Sequence, residues 1–390
     1  MRTEKYDIIL AGSGMAGLSL VYRGLKEGIW KTERILIIDE IVKSKNDRTW
    51  CFWQQSGAES PFESVIYRKW KNLFFFTNDG RKIVLDTGDY VYNMIRSDRF
   101  YKHTIEFIKT FSNVSFAQEK IVSITSEPNG ARVQTSLSNY AGTYIFNSIY
   151  TKPDLKQSNQ YFLQHFKGVT ICTEAFRGNS GEMHLMDFRT SQEHGATFFY
   201  VLPLNEHEIF LEYTIFSKSL LSPEQYDIKI KKYISEVLKI DDYEVLESEF
   251  GVIPMTDFSF KRRSGNVMNI GIAGGDTRGS SGYTFTNTQK TISGILASFK
   301  TNGHPFFNEE NIGNKHKLLD ATILKVLDEH IYPGDQIFSD LFTHVKAKNI
   351  FAFLDSRSTL LEDLQVMWSL KAKHFIGPFF QVIMDRIKDK

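Results

Sequence analysis

Cysteine is almost absent: Cys51 and Cys172 are the two in 390 residues, far apart and outside any CxxC spacing. That excludes a disulfide framework and a zinc ribbon, removes the dithiol reductases from consideration, and fits a reducing compartment. Net charge is nearly absent as well. Lysine and arginine number 47 and aspartate and glutamate 46, for a formal charge of +1, so nothing electrostatic points to nucleic acid as a partner. No run approaches the roughly 18 uninterrupted apolar residues of a spanning helix. The basic opening Met1-Arg2-Thr3-Glu4-Lys5 leads straight into a strand, with no signal segment before it. Internal repeats and low-complexity stretches are also lacking. The chain therefore reads as cytoplasmic, or as peripheral on a membrane surface.

What the sequence does have is aromatic residues, 32 Phe and 17 Tyr. This content excludes disorder. It implies either an aromatic-rich core or a long apolar pocket lined by rings. The length fits two lobes, or one large domain with an insertion.

The fold class is α/β. Tyr6–Leu10 reads as a strand, Gly12-Ser13-Gly14-Met15-Ala16-Gly17 as a turn opening a helix, and Ile35–Ile38 as a second buried strand, which together make the start of a βαβ unit. A helix is expected near 97–110, and strands over 114–124, 131–137 and 144–150. Met183–Phe188, Ala196–Leu202 and Glu208–Tyr213 look antiparallel, followed by a helix at 222–239 and a strand at 245–254. Val267–Ile272 returns to a strand and 284–300 to a helix, and the C-terminal region reads as helices. The expected organisation is a discontinuous dinucleotide-binding domain (1–150 and 255–310), an inserted antiparallel-sheet substrate domain (151–254) and a helical region (311–390).

In the glycine motif, Gly12 makes the tight turn, Gly14 lets the backbone approach a pyrophosphate, and Gly17 lets helix and strand pack closely. Asp39, about 20 residues further on at the end of the second strand and followed by Glu40, is placed to bond ribose hydroxyls. A second cluster, Gly274-Gly275-Asp276, again ends a strand with an acid, and the helix after Gly282 offers its positive end. Two acids at opposite ends of the chain suit one extended FAD better than a single NAD. The alternative is an ordinary helix start with capping residues. Asp47–Trp53 reads as a ring-dense loop, which either brings Arg48 to phosphate or flavin and its rings to an apolar ligand, or plugs the core. In Glu208–Thr214, alternation puts Phe210, Glu212 and Thr214 on one face. A carboxyl among large apolar residues keeps its proton at neutral pH, as a proton donor must; a Glu on the solvated face of the sheet does not. The tail from Leu360 to Met384 carries an apolar stripe with Lys371, Lys373, Arg386, Lys388 and Lys390 nearby, and suits either a helix packed on the core or a basic amphipathic segment on lipid.

Over nearly its whole length the chain resembles the flavin-dependent lycopene cyclases of carotenoid biosynthesis. The resemblance rests on Tyr6–Gly17, on Asp47-Arg48-Thr49-Trp50-Cys51-Phe52 and on Phe210-Leu211-Glu212-Tyr213-Thr214. It also rests on Gly251-Val252-Ile253-Pro254-Met255 and on Gly274-Gly275-Asp276 through Ser281-Gly282-Tyr283-Thr284. The chain departs from the family where Asp47-Arg48 replaces a frequent Asn-His and where Tyr213 replaces a frequent second acid. The resemblance implies a Rossmann-type fold of the GR2, p-hydroxybenzoate hydroxylase-like flavoproteins and an isomerase (intramolecular lyase) that turns acyclic ψ ends of lycopene into β-ionone rings. Reduced FAD is the implied cofactor and NAD(P)H the implied reductant. Glu212 is the implied acid, with Gly12–Gly17, Asp39, Glu40, Arg48, Gly275, Asp276, Gly282, Tyr283 and Thr284 about the cofactor and Trp50, Trp53, Phe210, Pro254 and Met255 about the substrate. A membrane surface and other carotenoid-pathway enzymes are the implied partners. Two rival readings share the fold: an FAD-dependent monooxygenase or reductase acting on another polyprenyl or apolar substrate, and a non-catalytic lipid carrier.

Overall fold

The computed structural model describes residues 4–156, 159–308 and 314–388. The chain opens with β1 (Glu4–Ala11), α1 (Met15–Lys26) and β2 (Ile35–Asp39). Ile8–Ala11 are at most 1% exposed, as expected of a parallel strand covered on both faces. Next come β3 (Thr49–Gln55), β4 (Ile66–Trp70), β5 (Asn72–Phe76), β6 (Lys82–Val84), β7 (Tyr90–Arg96) and α2 (Ser97–Ile108). Strands β8 (Val114–Gln118), β9 (Ile121–Glu127), β10 (Gly130–Thr135) and β11 (Asn139–Asn147) precede the long β12 (Tyr161–Cys172). They are followed by β13 (Glu182–Asp187), β14 (Ala196–Pro203), β15 (Glu208–Ser217) and α3 (Pro223–Glu236), the helix starting at a Ser222–Gln225 capping box with proline in its first turn. The chain returns through β16 (Glu244–Thr256), β17 (Arg263–Ser264) and β18 (Val267–Asn269) to α4 (Phe285–Asn302). It ends in α5 (Asn314–Asp328), α6 (Gly334–His344), α7 (Ala347–Leu354), α8 (Leu360–Ser369) and α9 (Ile376–Lys388).

Three sheets organise these elements. The first runs β17-β18-β11-β1-β2-β8, with β10 added to β11 and β9 to β10; β18, β11, β1, β2 and β8 are mutually parallel. The second runs β16-β12-β15-β14-β13-β5-β6, antiparallel except between β13 and β5. The third is β3-β7-β4.

One face of the second sheet packs Ile209, Leu211, Tyr213 and Ile215 under α3, against Tyr226, Ile230, Tyr233 and Ile234. The opposite face packs Phe198, Leu202, Phe210 and Phe216 toward Leu324, Phe342 and Phe351 of the C-terminal helices. Each ring so buried contributes about 2 kcal/mol or more.

Four local expectations change. The segment expected to be a ring-dense loop is a strand from Thr49 on. Period-two alternation sends Trp50 and Phe52 to the core around α1, α2 and α4, and Cys51 and Trp53 to the core under the C-terminal helices. The long strand β12, between β16 and β15, is not evident in the sequence. β5 and β6, from the N-terminal stretch, hydrogen-bond into the second sheet. The strand expected over Val267–Ile272 ends at Asn269, and Gly271–Gly274 form a 3-10 turn.

Candidate active site

The glycine turn between β1 and α1 is shaped by close approach. Gly12 has φ +104°, a left-handed conformation that favours glycine, and a Cβ there would overlap the Ser148 hydroxyl. A Cβ on Gly17 would overlap the Gly12 carbonyl, so the third glycine lets the helix sit on the turn. Gly14 differs: a Cβ there meets nothing within 4 Å. Asp39, at the end of β2, braces the turn. Its Oδ2 accepts hydrogen bonds from the Ser13 N–H at 2.7 Å and the Ser13 hydroxyl at 2.9 Å, and its Oδ1 accepts from the Ile41 N–H. The first turn of α1 has neither a side-chain cap nor an acid, so its N–H groups and positive end face open space.

The second glycine loop comes from the other end of the chain. Gly282 has φ +72°, and a Cβ there would overlap the Gln164 Oε1, an atom buried without a hydrogen-bond partner. α4 begins just after it, again without a side-chain cap or an acid in its first turn. Between the two helix ends lies a cavity of about 390 Å³. Gly14, Met15 and Ala16 line it at one side and Gly282, Tyr283, Thr284 and Phe285 at another. Its remaining walls include Arg48, Trp50, Cys51, Phe210 and Glu212.

Glu212 projects from β15 on the cavity face, 9% exposed, and its Oε1 accepts a hydrogen bond from Thr214 at 2.7 Å. Burial, reinforced by the charge of Glu249, pushes the Glu212 carboxyl up to about 8. Glu249, on β16, is 7% exposed and accepts from the Thr49 hydroxyl at 2.7 Å. Burial pushes it up to about 7, against the opposing pull of the Thr49 hydroxyl and the Arg48 guanidinium.

A second cavity, about 430 Å³, lies beside the first under the C-terminal helices. Trp53, Phe216, Phe338, Phe351, Met367 and Trp368 are among its largely apolar walls. The two cavities share Tyr200, Ser281 and Tyr283. The Tyr283 hydroxyl lies 3.0 Å from that of Tyr92 and 3.4 Å from that of Tyr200, so the phenols of the partition bond one another, while the Ser281 hydroxyl is buried there without a hydrogen-bond partner. Arg278, 1% exposed, pairs with Asp320 of α5 at 2.8 Å, and Ser280 bonds the same carboxylate. These bonds latch the second glycine loop to the helices that roof the apolar cavity.

Residues 7–382 match the sequence profile described as lycopene cyclase protein. The chain belongs to this family. Among individual relatives, it is 25% identical over 303 residues to the capsanthin/capsorubin synthase of Capsicum annuum, a match covering 72% of this chain and 57% of that synthase. The chain thus matches little more than half of that relative's length. Among solved structures it resembles a geranylgeranyl bacteriochlorophyll reductase-like protein of Thermoplasma acidophilum, with a TM-score of 0.59, 12% identity and coverage of 98% and 96% of the two chains. It also resembles p-nitrophenol 4-monooxygenase of Pseudomonas putida, with a TM-score of 0.55, 11% identity and coverage of 96% and 99%. The fold of this lycopene cyclase family member is the GR2-type flavoprotein fold, with a helical C-terminal region.

The structure brings many of the sequence-selected residues of this cyclase-family chain together, but not all of them. Gly14, Met15, Ala16, Arg48, Trp50, Phe210, Glu212, Gly282, Tyr283 and Thr284 share the first cavity. Arg48 Nη1 donates to the backbone carbonyls of Asp47 and Phe250. Trp53 lies on the second cavity, with its ring 4.3 Å from that of Tyr283. Pro254 and Gly275 border a third, small cavity, Met255 is fully buried in the core, and Glu40 is exposed. Asp276, expected to reach the cofactor, is fully buried and off the cavity. Its carboxylate accepts from the Gly271 N–H, the Thr291 hydroxyl and Arg262, an internal brace for the loop. Sequence reasoning missed Glu249, Gln164, Tyr92 and Tyr200. The nearest signal was the period-two spacing of Glu249, Gly251 and Ile253, of which Gly251 and Ile253 line the first cavity.

Proposed function

We propose that this protein is a carotenoid cyclase that closes the acyclic ψ end groups of lycopene into β-ionone rings, with Glu212 as the proton donor and reduced FAD as its cofactor. The observation that carries the reading is a buried carboxyl, pushed up to about 8 by that burial, on the wall of a cavity framed by two uncapped helix ends, one aromatic partition away from an apolar cavity. The residues present fit an extended FAD. The open position at Gly14 and the N-terminus of α1 suit a pyrophosphate, Asp39 at the end of β2 would support the ribose through the turn it braces, and Gly282–Thr284 with the orphaned Gln164 Oε1 offer polar partners near α4. Reduced FAD, kept so by NAD(P)H, supplies an electron-rich ring beside the positive charge that develops on the substrate.

The chain's own groups account for the proton steps. Glu212 transfers its proton to the terminal double bond, the resulting tertiary cation closes the ring, and a proton leaves the ring for the Glu212 carboxylate. No atom or electron is gained overall. The faces of Trp50 and Tyr283 lie on the same cavity and suit a passing cation. The apolar walls of the second cavity exclude the water that would trap the cation as an alcohol, and suit the rest of the polyene chain.

Delivery from lipid fits the exposed apolar side chains of the same helices, some of which also line the second cavity. Leu360, Leu361, Trp368, Phe380 and Ile387 are each at least 60% exposed, and Lys371 and Lys373 lie exposed among them. Among the described residues no helix is long and apolar enough to cross a membrane. Expression in cells that accumulate lycopene, followed by pigment chromatography and mass measurement, tests the reaction: a cyclic product of unchanged mass is expected. Unaltered lycopene, or a product heavier by one oxygen, refutes it. Cosedimentation with anionic vesicles tests the surface, and Lys371→Glu with Lys373→Glu should weaken it.

A further inference from the structure

Gly168, on β12, stands directly opposite Glu212 on β15 and directly opposite Glu249 on β16. Opposed residues in an antiparallel sheet project to the same face, so both carboxyls share the cavity face with a position between them that has no side chain. Two strand spacings put their backbones roughly 10 Å apart, with the Phe210 ring and the Glu249 stem over the glycine between them. The gap is in use: a Cβ on Gly168 would lie 2.6 Å from the Phe210 ring and 3.0 Å from the Glu249 Cγ. Glu249 Oε2 is held by Thr49, while its Oε1 is buried with no hydrogen-bond partner. Among the described residues neither carboxylate is in an ion pair. Two carboxyls buried on one face cannot both ionise readily, so the pair retains a proton. Glu212 borders the cavity, and Glu249 stands behind it.

We propose that Glu249 is a positioning residue: its carboxylate, facing Glu212 across the gap at Gly168, keeps Glu212 in the protonated form that the reaction needs. This rests on the cyclase reading above, and it adds the source of the acid's readiness. Before turnover, the neighbouring charge makes loss of the Glu212 proton unfavourable in the empty site. After Glu212 has given its proton to the substrate, the same charge favours its return, so one proton leaves, one comes back, and no further reactant is required. Cys51 and Arg48 on the side of β3, Asp47, Tyr92 on β7, Tyr200 on β14 and Tyr283 before α4 also face the pair. Burial holds the Cys51 thiol and the three tyrosines above their ordinary values, so near neutral pH the carboxyl pair is what titrates.

The test is an infrared titration of the protonated-carboxyl stretch of the purified full chain, the Glu212 band being the one lost in Glu212→Gln. In the wild type this band should persist past neutrality. In Glu249→Gln its midpoint should fall by about one pH unit, and in Glu249→Asp by less. An unmoved midpoint in Glu249→Gln overturns the proposal; if that variant does not fold, an unmoved midpoint in Glu249→Asp does so. The alkaline limb of the pH–rate profile for lycopene cyclisation should move in step with the band. A wild type that makes no cyclic product yet shows the shift would sink the cyclase reading and leave the carboxyl pair standing. Cyclisation with an unmoved band would do the reverse.

Discussion

A proton donor buried in its neutral form should hold back the stability of its own fold, and Glu212→Gln exposes that. The folded Glu212 carboxyl is pushed up to about 8 from an ordinary value of 4.5. Between these values the native state holds a proton that the unfolded chain has released, so stability falls as pH rises through the interval. Each unit is about 1.4 kcal/mol. At neutral pH, roughly 2.5 units above the unfolded value, the native state forgoes about 3 kcal/mol relative to a side chain that never ionises. Glutamine keeps an Oε1 for the Thr214 hydroxyl but adds an N–H₂ group that needs an acceptor, a pH-independent cost of about 1 kcal/mol. The variant should therefore match or fall below the wild type near about pH 4.5 and exceed it by about 2 kcal/mol at about pH 7, with the gap levelling off above about pH 8. Urea unfolding at saturating FAD, repeated across that range, reads the difference directly, and the same variant should make no cyclic product. A stability difference that does not change with pH would refute the reasoning, because it would mean that Glu212 titrates as a solvated acid.

Four further outcomes follow from the cofactor side and the latch. Gly14→Val, whose side chain enters open space, should lose FAD through gel filtration while the fold stays within about 0.5 kcal/mol of wild type. Gly17→Val, which drives a side chain into the Gly12 carbonyl, should destabilise the chain by about 2 kcal/mol or more, measured by the same urea titration. Asp39→Ala removes three acceptor contacts that brace the glycine turn, so flavin retention read by absorbance should weaken roughly tenfold, and unchanged retention would remove Asp39 from the site. Asp320→Ala strands the fully buried Arg278 without its partner, which should cost about 3–5 kcal/mol and lower the Tm. Asp320→Asn, which keeps an acceptor, should lose less.

How legible these features were depends on how local their causes are. The turn at Gly12–Gly17 and the strand ending at Asp39 could be read because a glycine spacing and a short apolar run are contained within a few dozen residues. Glu212 could be placed on a face because alternation within β15 is a property of that strand alone. β12 escaped because Gln164, His165, Lys167 and Gly168 interrupt its apolar run; those residues are explained by what lies across from them. Glu249 is the plainest case, since its relation to Glu212 exists only through the register of both strands against Gly168. Asp276 was misdirected for the same reason: the Thr291 hydroxyl and the Gly271 N–H that engage it are set by the loop's tertiary path. Trp50 and Trp53 could act together in a loop, but three positions apart in β3 they face opposite cores.

The aromatic excess then acquires two meanings in one molecule. Phe216, Phe338 and Phe351 line an apolar cavity, a role for rings with no polar atom to satisfy. Tyr92, Tyr200 and Tyr283 stand where that cavity meets a polar one, and each hydroxyl there finds another hydroxyl. Cation chemistry started by an acid needs this division. The proton donor must be reachable from space without water, and three unpartnered phenols at the boundary would draw in more water than the single Ser281 hydroxyl left without a partner there. Mutually bonded tyrosines give a wall that is polar enough to sit beside Glu212 and dry enough to sit beside a polyene, which phenylalanine or serine alone would not provide.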